Sequence, residues 1–372
     1  MSKKKIKIIY VLPTLDPGGA EKFIVDLIKN LDRNQFEIKI VLFRHEGFFT
    51  EELKKIGIPI ISLKKKFKVD PINFYQLYQI LKSEKADIIH TELGGDIYGR
   101  IIAKMIGTKI IISTEQNVNP DEKPWITWLK KFSAQFADRV ICISKAVQKD
   151  SLERYLIPKE KMPIIYNGIE IENFFHERDY QKNTLESIKI CSLGRLMPQK
   201  GFRYLIEAFT LIKDKNFICQ IIGEGELRPE LEQLIKQNNL ENKVKLIGLR
   251  KSVEVSNIFK SSDLFVLPSV WEGLGIAVIE AGLTGLPIVA SNVDGIKEVI
   301  SSEKEGILVE PKNSQELAKQ LSYVIDNINT EKIKEMGKSL QQSIKARFSI
   351  SVIARQYQDL YLQLVKEKGR EE

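Results

Sequence analysis

Short apolar runs alternate with longer amphipathic stretches along the whole chain. In the first half, runs at 6–12, 36–43, 58–62, 88–90, 110–113, 140–143 and 163–166 read as strands. Helical patterns intervene, as at 20–31, where Phe23, Leu27 and Leu31 recur on one face. The pattern begins afresh after Asn167–Gly168. Strands are expected there at 188–193, 217–222, 244–247, 264–267, 287–290 and 306–309, with helices such as 202–211 and 230–238 between them. Such alternation is the signature of βα units around a parallel sheet. Two successive series predict an α/β architecture of two Rossmann-like domains with a cleft between them, where ligands of such folds bind. The polar, poorly periodic stretch 171–185 reads as the connection between the domains. A last helix is expected over 348–366, with Ile353, Tyr357, Leu360, Tyr361 and Leu364 on one face. It follows the strands of the second sheet, and a return onto the first domain accounts for its position.

At 372 residues the chain has room for two domains that each bury a core. Its 43% hydrophobic and 28% charged residues are the balance of a soluble globular protein. The start, MSKKKIKIIYVLPTL, is basic, but Lys7 interrupts its apolar stretch and DPGGAEK stands where a cleavage site would be. It reads as a first strand rather than a secretory signal. No run approaches the ~18 apolar residues that span a bilayer, so a cytosolic protein with at most peripheral membrane contact is expected. Cys142, Cys191 and Cys219 each lie in an apolar run without a CxxC pair. They predict small buried side chains in a reducing compartment, and neither disulfides nor zinc. The net charge of +8 is unevenly shared: residues 1–175 carry 29 basic and 22 acidic side chains, the remainder 28 and 27. A basic front half suits an anionic partner, whether lipid headgroup, phosphorylated acceptor or nucleic acid.

The stretch PSVWEGLGIAVIEAGLTGLPIVAS at 268–291 concentrates the candidate chemistry. Glu272 precedes a Gly-rich turn that opens a helix, and Glu280 lies inside that helix. Gly273, Leu274, Gly275 and Ile276 offer backbone N–H groups at the helix start, a seat for an anion. The two carboxylates can accept hydrogen bonds from sugar hydroxyls. LGRLMPQKG at 193–201 puts Arg195 and Lys200 in a loop directly after a strand. Five residues apart, they can clamp a diphosphate, Arg by its planar fork and Lys as a point charge. LDPGGAEK places Gly18 and Gly19 between the first strand and the first helix, where glycine lets the backbone approach a phosphate. IIGEGELRPELEQLI is strand, Gly-x-Gly turn and helix without the third glycine of a dinucleotide fingerprint, which weighs against an NAD-dependent oxidoreductase. His90 ends the run DIIH, one of three histidines; a lone histidine at a strand end is more often structural. No Gly-x-Ser-x-Gly elbow supports Ser-His-Asp catalysis. Each segment alone also fits solvated charges or a routine turn; their ordered co-occurrence carries the reading.

Together these residues resemble glycosyltransferase family 4, retaining enzymes of the GT-B fold. The likeness runs nearly end to end: GGAEK at 18–22, DIIHTE at 87–92, ADRVICIS at 137–144, IIYNGIEIENF at 164–174 and LGRLMPQKG at 193–201. It continues with IIGEGELR at 221–228, VKLIGL at 244–249, SDLFVLPSVWEGLGIAVIEAGLTGLPIVAS at 262–291 and DGIKEVI at 294–300. The resemblance implies a UDP- or GDP-sugar bound mostly by residues 169–350 and an acceptor bound by residues 1–168. Residues 351–372 would form a C-terminal helix packing back on the first domain. Arg195 and Lys200 would neutralise the departing diphosphate, and Glu280 would accept from the ribose hydroxyls. Glu272, with the amides of Gly273, Leu274 and Gly275, would hold hydroxyls of the transferred sugar. Gly18 and Gly19 would present amides to the distal phosphate, and Leu249 would lie by the nucleobase through its backbone. No metal or other cofactor is implied: no Asp-x-Asp occurs, and the two cations take that role.

Family members often carry a histidine after the fifth strand of the first domain. Here IISTEQN puts Gln116 there, able to hydrogen-bond a hydroxyl but not to accept a proton as a base. Gln116, His90 and Asn167 are candidate contacts to sugar or acceptor. Asp294–Gly295 stands where many members have Gly-Gly. The expected function is transfer of a sugar to a glycan or lipid-linked oligosaccharide in cell-envelope polysaccharide synthesis. The alternative is a non-catalytic sugar-nucleotide-binding subunit of the same fold. Nucleic acid is not an expected partner.

The acceptor side rests on the basic first domain. KKKFK at 64–68 is a dense basic loop, and KPWITWLKKFSAQF at 123–136 sets Trp125, Trp128, Leu129, Phe132 and Phe136 on one helical face beside Lys130 and Lys131. The favoured expectation is a stripe that packs onto the sheet. The alternative is an interfacial helix that meets anionic lipid.

Overall fold

The computed structural model describes residues 4–63, 70–118, 122–178 and 187–369. The chain divides into two compact units, Met1–Ile169 with Ile350–Glu372, and Glu170–Ser349. Each is built on one six-stranded, wholly parallel sheet.

In the first unit the strands are β1 (Ile6–Leu12), β2 (Phe36–Leu42), β3 (Ile60–Ser62), β4 (Ile88–Glu92), β5 (Ile110–Glu115) and β6 (Arg139–Cys142), in the order β3-β2-β1-β4-β5-β6. They are rich in Ile, Val and Leu because helices cover both faces. Along β1, Ile8, Tyr10 and Leu12 enter one core layer and Ile9 and Val11 the other. The first layer is closed by the helices Gly19–Asn30 and Ile350–Lys368, the second by Pro71–Glu84 and Asp96–Met105.

The C-terminal helix Ile350–Lys368 is thus part of the first unit's core. It buries Ile350, Ile353, Ala354, Tyr357, Leu360, Tyr361 and Leu364. The Ile350 N–H donates to the Ile169 carbonyl at 2.9 Å, and the Tyr361 and Tyr10 hydroxyls pair at 2.7 Å. A Cβ on Gly168 would come 2.9 Å from Ile350 Cα, so only glycine lets the returning chain pass so close.

The second unit carries β7 (Ile188–Leu193), β8 (Phe217–Ile222), β9 (Val244–Gly248), β10 (Leu264–Leu267), β11 (Ile288–Ser291) and β12 (Ile307–Val309), in the order β12-β11-β10-β7-β8-β9. Strand order reverses between β1 and β4 in one sheet and between β7 and β10 in the other. In open α/β sheets the ligand crevice forms outside the carboxyl ends of the strands at such a reversal. Those four ends lead to Gly18–Gly19, Glu92, Arg195–Lys200 and Glu272.

Two expectations from the sequence change. Residues 163–166 make only a single parallel bridge, Cys142 to Ile164, with Pro163 offering no N–H to extend a ladder. The stretch from 171 opens with a helical turn, Ile171–Phe174, whose Phe174 is buried against Phe259. Residues 179–186, and the basic loop at 64–68, lie outside the described residues.

Candidate functional site

In the second unit, the loops after β7 and β10 are stitched together. The Val270 N–H donates to the Gln199 carbonyl at 2.7 Å, and Gln199 Nε2 donates to the Trp271 carbonyl at 3.1 Å. Gly201 closes the first loop at φ 64°, and a Cβ there would meet the Pro268 oxygen at 2.1 Å. This contact sets Lys200 against the second loop: its Nζ lies 2.5 Å from Glu272 Oε1, which also accepts from Ser269 Oγ at 2.7 Å. Glu272 is buried, whereas Arg195 is exposed and makes no ion pair among the described residues.

Beyond Glu272 the chain turns into the helix Ile276–Leu283. Its N-cap is Gly275 at φ 81°, a conformation that suits glycine, and no side chain caps the helix. Gly273, Leu274 and Gly275 therefore sit at a helix start that carries partial positive charge. Glu280 lies half-buried one turn further on. A Cβ on Gly295 would approach the Glu272 oxygen to 2.5 Å, so the glycine retained at 294–295 is the one this loop requires; Asp294 points to solvent. Leu249, directly after β9, is 66% exposed at the same end of the sheet. Chemically, the β7 and β10 loops offer an unpaired guanidinium, an ammonium held by a buried carboxylate, and a helix start. Such groups are chemically suited to a phosphorylated, hydroxyl-bearing ligand.

In the first unit, Gly18 is the N-cap of the helix Gly19–Asn30, with no capping side chain. His90 is fully buried, stacked on Tyr10 with ring centroids 4.9 Å apart. Its Nδ1 meets the Tyr361 hydroxyl at 2.7 Å and its Nε2 meets Thr114 Oγ1 at 2.8 Å. Burial pulls its pKa down to about 3, so the ring is neutral. Both nitrogens are engaged inside the core, and His90 is a structural residue rather than a contact for sugar or acceptor.

Gln116 and Asn167 do come together, directly, and a third residue that the sequence did not single out joins them. Gln116 Nε2 donates to Glu92 Oε2 at 3.0 Å, and Asn167 Nδ2 donates to Gln116 Oε1 at 2.8 Å. Glu92 and Asn167 are buried. Burial pushes the Glu92 carboxyl well above the ordinary carboxylate range, against the pull of the Gln116 bond and with Asp96 adding to the rise. The signal available was a carboxylate closing an apolar strand, in DIIHTE.

The aromatic helix Pro124–Ala134 overturns the favoured expectation. Trp125, Trp128 and Phe132 are 59, 63 and 49% exposed, and Trp128 and Phe132 stack in parallel with centroids 6.0 Å apart. The inward face is polar instead: Ser133 and Ala134 are buried, and Lys130 reaches Glu122 at 2.7 Å and Glu115 at 4.0 Å. The reason lies beneath it. Arg100 is fully buried, 3.0 Å from Glu115 and 3.9 Å from Asp96. Burial raises the Asp96 pKa to about 7 against the attraction of Arg100. Burial would raise Glu115 as well, but Lys130 and Arg100 hold it below the usual carboxylate range. Two buried acids and one buried Arg need a second cation, and Lys130 supplies it by turning the helix.

Residues 17–173 match the family described as Glycosyltransferase Family 4, and residues 175–342 the one described as Glycosyl transferases group 1. The chain is 29% identical, over 99% of both chains, to the UDP-Gal:alpha-D-GlcNAc-diphosphoundecaprenol alpha-1,3-galactosyltransferase of Escherichia coli. It is 26% identical, over 92% of this chain and 95% of the relative, to the N-acetylgalactosamine-N,N'-diacetylbacillosaminyl-diphospho-undecaprenol 4-alpha-N-acetylgalactosaminyltransferase of Campylobacter jejuni. Among solved structures, Anabaena HepE in complex with UDP-glucose superposes with a TM-score of 0.84 at 24% identity, covering 96% of this chain and 100% of that one. The structural likeness shows the fold: two Rossmann-like units of the GT-B type.

Proposed function

The chain belongs to glycosyltransferase family 4, and from that premise we propose that it moves a sugar from a UDP- or GDP-sugar to a lipid-linked glycan, with retention of anomeric configuration, in cell-envelope polysaccharide synthesis. One observation carries the reading: Lys200 and Glu272, brought by the β7 and β10 loops to the point where strand order reverses. Arg195 and Lys200 neutralise the departing diphosphate, and Glu280 accepts from the ribose. Glu272 and the amides of Gly273 to Gly275 hold the sugar hydroxyls, Leu249 borders the base, and Gly18 and Gly19 meet the distal phosphate. The bond from the anomeric carbon to the diphosphate breaks as the acceptor oxygen bonds the same face, and the acceptor's proton passes to the departing phosphate. Charge builds on the leaving group, so fixed cations there lower the barrier directly. With those cations and no Asp-x-Asp in the chain, the reading calls for no metal and no cofactor. The names of the two bacterial relatives, which specify diphosphoundecaprenol-linked substrates, support the acceptor class. UDP in the Anabaena complex supports trying uridine donors first.

The test is a thermal-shift panel of UDP-, GDP- and ADP-sugars followed by transfer to a polyprenyl-diphosphate sugar. A bound donor at 100 times its Kd adds about 2.7 kcal/mol of stability. We expect one nucleotide class to raise the melting temperature and the product to keep the donor's anomeric configuration. No shift with any nucleotide sugar rejects the assignment.

The same reading places the protein in the cytoplasm, in peripheral contact with the membrane's inner face. No helix among the described residues is long and apolar enough to cross a bilayer. The helices Pro71–Glu84 and Pro124–Ala134 follow β3 and β5, so both begin at the carboxyl end of the sheet. Near those starts, Ile72, Tyr75, Trp125 and Trp128 are exposed, with Lys123 beside them. Trp and Tyr next to lysine suit the headgroup layer of an anionic bilayer. Co-sedimentation should show binding to phosphatidylglycerol vesicles and its loss in a Trp125→Ser, Trp128→Ser, Phe132→Ser variant. Equal binding to neutral vesicles, or none to either, contradicts this placement.

A further inference from the structure

We propose that Glu92 and Asn167 are positioning residues that clamp the Gln116 amide in one orientation, so that it presents a fixed donor and a fixed acceptor to a hydroxyl of a sugar ligand. The inference rests on the reading as a glycosyltransferase and concerns how the first unit takes part. Three separate segments converge on one amide: Glu92 ends β4, Gln116 follows β5, and Asn167 follows the bridge beside β6. Gln116 is half-buried, its two partners fully so.

A free glutamine side chain samples many rotamers, and its amide ends differ in chemistry. Here the amide is held at both ends. Nε2 gives one proton to Glu92 Oε2, and Oε1 accepts from Asn167 Nδ2. Turning the amide over would set N–H against N–H at Asn167. The clamped amide keeps one Nε2 proton and one Oε1 lone pair for a ligand. Burial pushes the Glu92 carboxyl well above the ordinary carboxylate range, which disfavours a negative charge beside the clamped amide. The carboxyl is anchored from the core side as well: Glu92 Oε1 is buried and lies 3.5 Å from His90 Nε2. A glutamine thereby gains by restraint the geometric definition that an imidazole has by its rigid ring.

The test is a double-mutant cycle on kcat/KM for transfer, run on variants whose melting temperatures are measured alongside. Gln116→Ala and Glu92→Ala should each lower kcat/KM about 10–100-fold, the scale of a misplaced contact. If Glu92 acts through Gln116, the double variant should be no worse than Gln116→Ala alone. Glu92→Gln, neutral and still able to accept from Gln116, should stay within about threefold of wild type. Should Glu92→Ala fail to fold, the same cycle is run with Asn167→Ala. Additive losses, an indifferent Gln116→Ala, or a Glu92→Gln as impaired as Glu92→Ala each overturn the proposal. Failure of the wild-type protein to transfer sugar from any donor would instead strike the reading it rests on.

Discussion

Arg195→Ala and Lys200→Ala should each lower kcat by about 10²–10³-fold, the cost of removing one fixed stabiliser from a developing anion. Both cations sit on the loop after β7, but their situations differ. Arg195 is exposed and unpaired among the described residues, so its removal should leave the melting temperature unchanged. Lys200 is the partner of a buried carboxylate, and its loss strands Glu272 in a largely dry loop. Breaking such a pair from one side costs more than the pair itself contributes. Lys200→Ala should therefore lose turnover and lower the melting temperature of the second unit together. Pairing it with Glu272→Ala should recover the temperature and not the turnover. Nucleotide release in steady state, with calorimetry beside it, reads all three variants. Near-normal turnover in both single variants would remove the diphosphate clamp from the mechanism.

Ending the chain at Ser349 should unfold the first unit while sparing the second. The helix Ile350–Lys368 contributes seven buried side chains to a core shared with β1 and the helix Gly19–Asn30. Each buried large apolar side chain contributes about 1.5–3 kcal/mol. Together they approach or exceed the ~5–15 kcal/mol by which an ordinary domain is stable. Removal also strands the Tyr10 hydroxyl and the Nδ1 of His90, both of which meet Tyr361. Calorimetry of the full chain and of the truncated one should differ by the loss of one unfolding transition. The remaining transition should still respond to nucleotide, because every donor-binding side chain proposed for the second unit lies between 195 and 280. A truncated chain that keeps both transitions would show that the helix is an accessory.

Much of this was legible in the sequence because the physics involved is local. A run such as IIYVL can be buried on both faces only in a covered sheet, and β1 lies there. Ile353, Tyr357, Leu360, Tyr361 and Leu364 mark one helical stripe, and all five are buried. What stayed hidden depends on partners distant in the chain. Lys200 and Glu272 are 72 residues apart and meet only because β10 pairs with β7. The Pro124–Ala134 helix was misread for the same reason. Its apolar stripe is the strongest local signal, but Arg100, Glu115 and Asp96 beneath it demand a cation, and tertiary electrostatics turned Lys130 inward. His90, a candidate sugar or acceptor contact by its place at a strand end, is enclosed instead by tyrosines that arrive from position 10 and from 357 and 361. Glu92 was overlooked because nothing in a linear string shows that a carboxylate will be walled off from water.

The discontinuous make-up of the first unit has a consequence for how the protein is made. A ribosome delivers residues 1–169 first, yet the core they form stays open on one side until the helix Ile350–Lys368 has been synthesised. Everything between, a self-contained sheet with its own helices, emerges complete while the earlier half is still waiting. The second unit should thus mature ahead of the first, reversing the usual N-terminal-first order of nascent chains. Until the helix Ile350–Lys368 has emerged, the exposed flank of β1 and its neighbours is the surface that chaperones must guard.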